Sequence, residues 1–506
     1  MRALPWSLVL LASACSAVPE RPRRPLNVVI LYADDLGYGD LGCYQQDSKI
    51  PTPHLDRLAA QGVRFTDAHS SSGICTPSRY ALLTGRHHWR KFHGIVNAFG
   101  PSVFDDARLT MPEMFREHGY RTACIGKWHL GWDWRAIRRE GAEPVGGQGY
   151  DAAAFDWSRA VPGGPLAHGF EHYFGDDVPN FPPYAWIRDD RVEGPPSVPY
   201  RPAPKPPEGS HEGRPGPMVD GWRLDRVMPE LTEHAVAWLR ARAGDEQPFF
   251  LYFPFTSPHA PIVPADEWRG RSGAGPYGDF VAQTDDTVGR VLRALDEAGL
   301  ADDTIVVFSA DNGPEHYAYP RIQAYGHRSA GELRGLKRDV FEGGHRVPML
   351  VRWPGVTEAG RVSDALVSQC DLMATFAGLL GHELPDDAGE DSFDQAPVLR
   401  GERDAVRRFA IHNTFAGKWG VRRGRWLLLT HQDGYHTRVP GWVRRSYPVP
   451  DGDVMLCDLV DDPGQRRDLS ERHPEIVAQL RTLLEHVRER GHSAPRLEGV
   501  RQDGGR

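Results

Sequence analysis

Cysteine is scarce in this chain: six residues among 506, at positions 15, 43, 75, 124, 370 and 457. So thin a set excludes a disulfide framework, and no spacing within it fits a zinc site. Cys43 and Cys124 read as free buried thiols, while a bridge between Cys370 and Cys457 stays open at this level. Positive charge is also short, with 60 Lys and Arg against 68 Asp and Glu and a net charge of −8. That balance argues against a general nucleic-acid surface, and no nucleic-acid partner is expected. An acidic protein that handles anions must instead reverse the field locally, with a metal, Lys and Arg gathered at one site. Past the N-terminus no apolar run is long enough to span a membrane, and there is no internal repeat.

What is present begins with a leader. Arg2, the apolar stretch around Leu8 to Ala12 and the small residues that follow have the make-up of an export signal, with Ala12-Ser13-Ala14 as a cleavage site. The same stretch is similar to a loose bacterial lipobox, in which Cys15 would carry lipid. Residues 1–24 are therefore read as signal peptide and leader. The expected location is exported: periplasmic, outer-membrane-associated as a lipoprotein, or secreted, with Cys15 as the one membrane anchor. The remaining length exceeds what a single core fills, so a large domain with an appendage is expected.

Asn27 to Tyr32 is a nearly continuous apolar run with β-branched residues, the pattern of a strand buried on both faces, and it ends in Asp34-Asp35. Thr304 to Phe308 repeats the pattern and ends in Asp311-Asn312. In open parallel sheets ligands collect beyond the carboxyl ends of the strands. Three carboxylates and one amide carbonyl brought together there make a hard oxygen site for Ca²⁺ or Mg²⁺. Phe249 to Phe253 is another such run and leads to His259, and the stretch Gly119 to Ile125 leads to Lys127 and His129. The 285–298 segment places Val288, Val291, Leu292 and Leu295 on one helical face and stops at Gly299. Alternating strands and helices predict a doubly wound, mostly parallel α/β domain over about 25–380.

The most informative run is Cys75-Thr76-Pro77-Ser78-Arg79-Tyr80-Ala81-Leu82-Leu83-Thr84-Gly85-Arg86. Pro77 suits a first helical position with Thr76 as cap, which sets residue 75 at a helix N-terminus. Exposed N–H groups and the helix dipole favour an anion there, so a nucleophile at that point faces sulfate or phosphate.

This run resembles the signature of the type I sulfatases of the alkaline phosphatase superfamily. Gly119-Tyr120-Arg121-Thr122-Ala123-Cys124-Ile125-Gly126-Lys127-Trp128-His129 is similar to the second signature of that family, and His259 and Lys337 match later positions. Leu336 and Arg338 stand where the family often has glycine, so the local loop is expected to differ. The resemblance implies an alkaline phosphatase-like fold with a smaller C-terminal α+β subdomain. It implies that a maturation enzyme oxidises Cys75 to formylglycine (3-oxoalanine), whose hydrate attacks sulfate esters. Asp34, Asp35, Asp311 and Asn312 would bind the cation, Ca²⁺ or Mg²⁺, with residue 75 completing its shell. Arg79 would steady the diol, His129 would act as its base, and Lys127 with Lys337 would neutralise sulfate oxygens. His259 is the candidate acid for the leaving alcohol.

Substrate clues lie elsewhere. His345-Arg346 and the Asp176 to Trp186 stretch, with Asn180, resemble those of bacterial sulfatases acting on sulfated polysaccharides, so a sulfated carbohydrate is preferred over an aryl sulfate. Two alternatives stand beside this: a phosphonate or phosphodiester hydrolase of the same superfamily, and a non-catalytic glycan-binding relative. Residues 381–405 read as an acidic, turn-rich crossover, 406–491 as the C-terminal subdomain, and 492–506 as a frayed tail.

Overall fold

Apolar residues fill the strand Asn27–Ala33 without a break, and the strand is buried along its whole length. It sits at the centre of a ten-stranded sheet, between Phe249–Pro254 and Thr304–Ala310, both parallel to it. Arg121–Ile125 and His172–Gly175 extend the parallel run on one side. Beyond Thr304–Ala310 come Met349–Arg352 and Val63–Phe65, each antiparallel to the strand before it, and Arg361–Ser363 parallel to Val63–Phe65 at the edge; two short antiparallel strands lie beyond His172–Gly175. The computed structural model describes residues 25–145, 149–202, 207–209, 212–431, 433–447 and 452–495. The expected leader, with Cys15, and residues 496–506 of the expected tail lie outside the described residues.

Strand side chains alternate between two cores. Val28, Ile30 and Tyr32 face one side, against Tyr80, Leu83, Phe115 and Phe376 from the helices Cys75–Thr84, Met111–Glu117 and Asp371–Leu380. Val29, Leu31 and Ala33 face the other, against Leu58, Leu231, Val288 and Leu295 from the helices Pro53–Gln61, Val227–Arg240 and Gly275–Glu297. Burial on both faces is what the unbroken apolar strands require. Among the described residues no helix is long and apolar enough to cross a membrane.

Two helix boundaries differ from the sequence expectation. The helix expected over 285–298 begins at Gly275, because its first turns carry buried polar residues that the apolar pattern does not reveal. Asp279 accepts from the backbone of Gly270 and Ser272, and Asp285 accepts from the N–H groups of His54 and Leu55. The helix expected to be capped by Thr76 begins at Cys75, with Ile74 in extended conformation before it. Thr76 is inside the helix, and its hydroxyl donates to the His129 carbonyl at 2.8 Å.

A four-stranded antiparallel sheet, Phe409–Asn413, Trp419–Arg423, Trp426–Leu429 and Met455–Asp458, forms the smaller C-terminal layer. One face packs on Leu480, Leu484 and Val487 of the helix Pro474–Arg490. Its other face covers Leu336, Val340 and Phe341, the loop that carries Lys337. Cys370 precedes a helix of the main layer and Cys457 lies in this sheet, and both are free thiols rather than a bridge.

Candidate active site

Ala33 pairs with Ala310, so Asp34-Asp35 and Asp311-Asn312 leave the sheet side by side. Asp35 turns back with φ 64°. Its N–H donates to Asp311 Oδ1 at 3.1 Å and its Oδ1 accepts from Asn312 Nδ2 at 2.8 Å. The strand Arg121–Ile125, one beyond Phe249–Pro254, delivers Lys127, whose Nζ donates to Asp34 Oδ2 at 2.6 Å. From the other side the 336–341 loop brings Lys337 Nζ to 2.7 Å from the Asp35 carboxylate. Arg79, on the helix Cys75–Thr84, donates through Nε and Nη2 to Asp311 Oδ2 at 3.0 and 2.8 Å, and through Nη1 to the Lys127 carbonyl. Cys75 opens that helix, 2% exposed, with Sγ 3.4 Å from Asp34 Oδ1. His259 follows Phe249–Pro254 and sets Nε2 3.6 Å from Asp35 Oδ2.

Charges crowd a dry space here, and each group shows it. Burial raises the Cys75 thiol, with Asp311 adding to the shift, so the encoded side chain is an un-ionised thiol and a poor nucleophile. Burial also raises Asp34, yet Lys127 and Arg79 together outweigh it and hold that carboxyl below its usual range. Asp35 stays raised because burial outweighs Lys337 and His259, and Asp311 is raised by burial and by Asp34. His129 is held far below the ordinary imidazole value by burial, Lys127 and Arg79. Its Nε2 contacts the Val96 carbonyl at 2.9 Å, an acceptor, which leaves Nδ1 bare and without a partner among the described residues. His259 is lowered to about 3 by burial and then by Lys337, and its Nδ1 contacts the Ala260 carbonyl. It is therefore neutral at rest, with the Nε2 lone pair turned toward Asp35.

The oxygen donors fit a hard cation. Asp34, Asp35 and Cys75 offer ligand atoms within 4.8 Å of one another, with His259 in the same group. Asn312 spends its N–H₂ on Asp35 and Gly313, so its Oδ1 is left buried and, among the described residues, unpartnered. A buried orphan acceptor beside crowded carboxylates is what a divalent ion satisfies.

Three sequence-predicted substrate residues fall outside this cluster. His345 is 1% exposed and uses both ring nitrogens within the protein, on His69 Nδ1 at 3.1 Å and the Val340 carbonyl at 3.3 Å. Both nitrogens face the protein interior, away from the cluster around Cys75. Arg346 likewise turns to the Thr66 carbonyl, Glu342 and Asp67, held by the same buried network. Asn180 lies nearer: its carbonyl accepts from Arg214 N and Tyr184 OH, and its Oδ1 is buried without a partner. The sequence did not single out Glu315, whose carboxylate is 3.6 Å from Lys337 Nζ and also pairs with Arg338. Nor did it single out Arg214, which stacks 3.7 Å over Phe181 while Phe181 packs edge-on against His129. No local motif marks either residue; only the fold brings them in.

Two lysines, an arginine and a helix N-terminus converging on buried carboxylates define a hydrolase for esters of an oxyanion, built on hard-cation chemistry. Residues 26–382 match the Sulfatase family, and the chain belongs to it. It is a sulfuric ester hydrolase. The chain is 32% identical to an N-acetylgalactosamine-6-O-sulfatase of Bacteroides thetaiotaomicron, over 92% of this chain and 93% of the relative. It is also 32% identical to human arylsulfatase A, over 95% of this chain and 90% of that enzyme. A solved structure described under the metabolism of multiple glycosaminoglycans by B. thetaiotaomicron superposes with a TM-score of 0.78 at 30% identity, covering 92% of this chain and 100% of the other.

Proposed function

We propose that the protein hydrolyses O-sulfate esters on carbohydrates, with residue 75 as nucleophile after conversion of Cys75 to formylglycine by a maturation enzyme. The observation that carries this reading is the position of Cys75 at a helix N-terminus, 3.4 Å from Asp34 and flanked by Lys127 and Lys337. Asp34, Asp35, Asp311 and Asn312 would hold Ca²⁺ or Mg²⁺ beside residue 75, and the hydrated aldehyde there would supply one hydroxyl as nucleophile and a second whose deprotonation would release sulfate.

The chain's own residues do the rest. Arg79 is fixed by Asp311 and cannot swing away, so it aligns residue 75 from below. Lys127 and Lys337 stand on opposite sides of the carboxylates and neutralise sulfate oxygens as charge develops. The bare Nδ1 of His129 is available to take a proton. His259 faces the site through Nε2, and the negative charge of an arriving sulfate offsets Lys337 and raises its affinity for a proton, which suits donation to the leaving oxygen. For the sugar, a cleft of about 620 Å³ is lined by Tyr150, Pro182, Tyr200, Arg201 and Arg214, and Arg214 stacks on Phe181, which packs against His129. Tyrosine walls with two guanidiniums, Arg201 and Arg214, suit a sulfated saccharide better than a small aryl ester. The hexosamine sulfatases among the relatives point to 6-O-sulfated N-acetylhexosamine. Export, with Cys15 as a lipid site, remains part of the proposal on the composition of the leader.

Substituting Cys75→Ala is expected to reduce sulfate release to background while the far-UV spectrum and melting temperature stay near wild type; unchanged turnover would sink the reading. Side-by-side rates on 6-O-sulfated N-acetylgalactosamine, 4-nitrophenyl sulfate and a phosphodiester test the substrate class. A faster phosphodiester rate would move the protein to the phosphohydrolase alternative.

A further inference from the structure

His69, His345 and His412 come from three distant parts of the chain and meet in the interior. His69 ends the strand Ala68–His69, just before the loop to Cys75; His345 ends the short helix Glu342–His345, after the Lys337 loop; His412 lies on the C-terminal strand Phe409–Asn413. All three are 0–1% exposed. The rings of His345 and His412 stack at 3.8 Å, and those of His69 and His412 lie 4.8 Å apart.

Their hydrogen bonds fix where the protons are. His69 Nε2 is 2.9 Å from Asp67 Oδ1, and that carboxylate is also paired with Arg346 and Arg422. An ionised carboxylate only accepts, so His69 Nε2 carries the hydrogen. His345 Nε2 faces the Val340 carbonyl, again an acceptor, so it too carries hydrogen. In the neutral rings both Nδ1 atoms are then bare, yet they face each other at 3.1 Å. Two lone pairs at that distance repel unless a positive centre lies between them. Beside them neither nitrogen of His412 has a hydrogen-bond partner among the described residues, and Glu342 Oε1 is buried and unpartnered as well. The three imidazoles offer nitrogens within 4.8 Å of one another, and Glu342 stands in such a group with His69 and Asp67.

We propose that His69 and His345, with Glu342 and with His412 once its ring turns off its near-parallel (10°) stack on His345, form a second metal site that binds a borderline dication of the Zn²⁺ class. Imidazole-rich sets with one carboxylate select such ions over Ca²⁺ or Mg²⁺. Zn–N bonds of about 2.0–2.1 Å at a tetrahedral angle put two nitrogens roughly 3.3 Å apart, close to the observed separation. The Asp67 and Val340 acceptors behind His69 and His345 are the outer partners that orient metal-ligating imidazoles. With all donors buried there is no open coordination position, so the ion is structural. It ties the segments on either side of the active site to the C-terminal sheet. The inference does not depend on the proposed substrate or on residue 75.

The test is made on the full chain with Zn²⁺ as probe. Wild-type protein, stripped with chelator, reloaded with Zn²⁺ and gel-filtered, is expected to retain one zinc that persists in Asp35→Asn and is lost in His345→Gln and in His412→Gln. Wild-type crystals soaked in Zn²⁺ are expected to give an anomalous peak between the Nδ1 atoms of His69 and His345. Stripping is expected to lower the wild-type melting temperature by several degrees. No peak at that point would overturn the proposal and assign the contact to a proton-bridged imidazole pair; this reading needs no variant to fold. Equal zinc retention by wild type and His412→Gln would overturn it as well.

Discussion

Asp35 shows how one residue combines structure and chemistry. Its positive φ lets the backbone N–H reach Asp311 while the carboxylate meets Asn312, Lys337 and His259, and a non-glycine residue in that conformation costs on the order of 1–3 kcal/mol. The cost is offset by a network that leaves no freedom to the ligand oxygens. Histidine burial offers a separate residue-scale prediction. His87 is lowered to about 4, first by burial, and stacks on Trp89. Its folded value lies below the unfolded value of about 6.5, so its stabilising effect is complete above 6.5 and is lost as pH falls toward 4. His87→Gln is expected to flatten that decline by up to about 1.4 kcal/mol per pH unit, read from urea unfolding at pH 7 and pH 5; identical pH slopes would refute it. Residues in contiguous runs were legible in the sequence, Cys75 to Arg86 above all. The setting of His345 was not legible, because its partners, His69 and His412, are remote in sequence and no local pattern announces a buried histidine cluster.

Strands carry the site as much as side chains do. Four parallel strands end at one level, and each hands over a functional residue within a few positions: Asp34, Lys127, His259 and Asp311. That arrangement could be read in advance because buried parallel strands are unbroken apolar runs. The start of the Gly275–Glu297 helix could not, since buried Asp279 and Asp285 look like surface residues until their backbone partners are known. A close approach occurs at Gly126, between the strand Arg121–Ile125 and Lys127. It has φ 128°, and a Cβ there would meet the Pro254 carbonyl oxygen at 1.9 Å. Lys127 N donates to that same carbonyl at 2.8 Å. Gly126→Ala is expected to push the two strands apart, lowering stability by about 2–4 kcal/mol and kcat through displacement of Lys127. Denaturant unfolding and sulfate-release assays check both, and a variant with wild-type kcat would show that Lys127 tolerates the shift.

The whole molecule closes its site from the C-terminal side. Leu427, Leu429 and Cys457 cover Leu336 and Phe341. Thr414 Oγ1 accepts from Gly73 N at 3.1 Å, and Asp339 Oδ1 accepts from the N–H groups of His436 and Thr437. Deleting residues 406–506 is expected to abolish activity and to expose apolar surface, seen as binding of a hydrophobic dye; a soluble, active truncated chain would contradict this. The appendage was legible as a subdomain, but its role as a wall was not, because the contacts are made by side chains more than 300 positions from Gly73. Those contacts also impose an order in time. A chain growing from its N-terminus completes the Cys75–Thr84 segment early, yet Gly73 cannot meet Thr414 until roughly 330 further residues have been made. At about 5–20 residues per second, synthesis of that stretch takes on the order of 15–65 s. For that interval the segment around residue 75 is formed but still uncovered, and any enzyme that must reach the cysteine has its opening then.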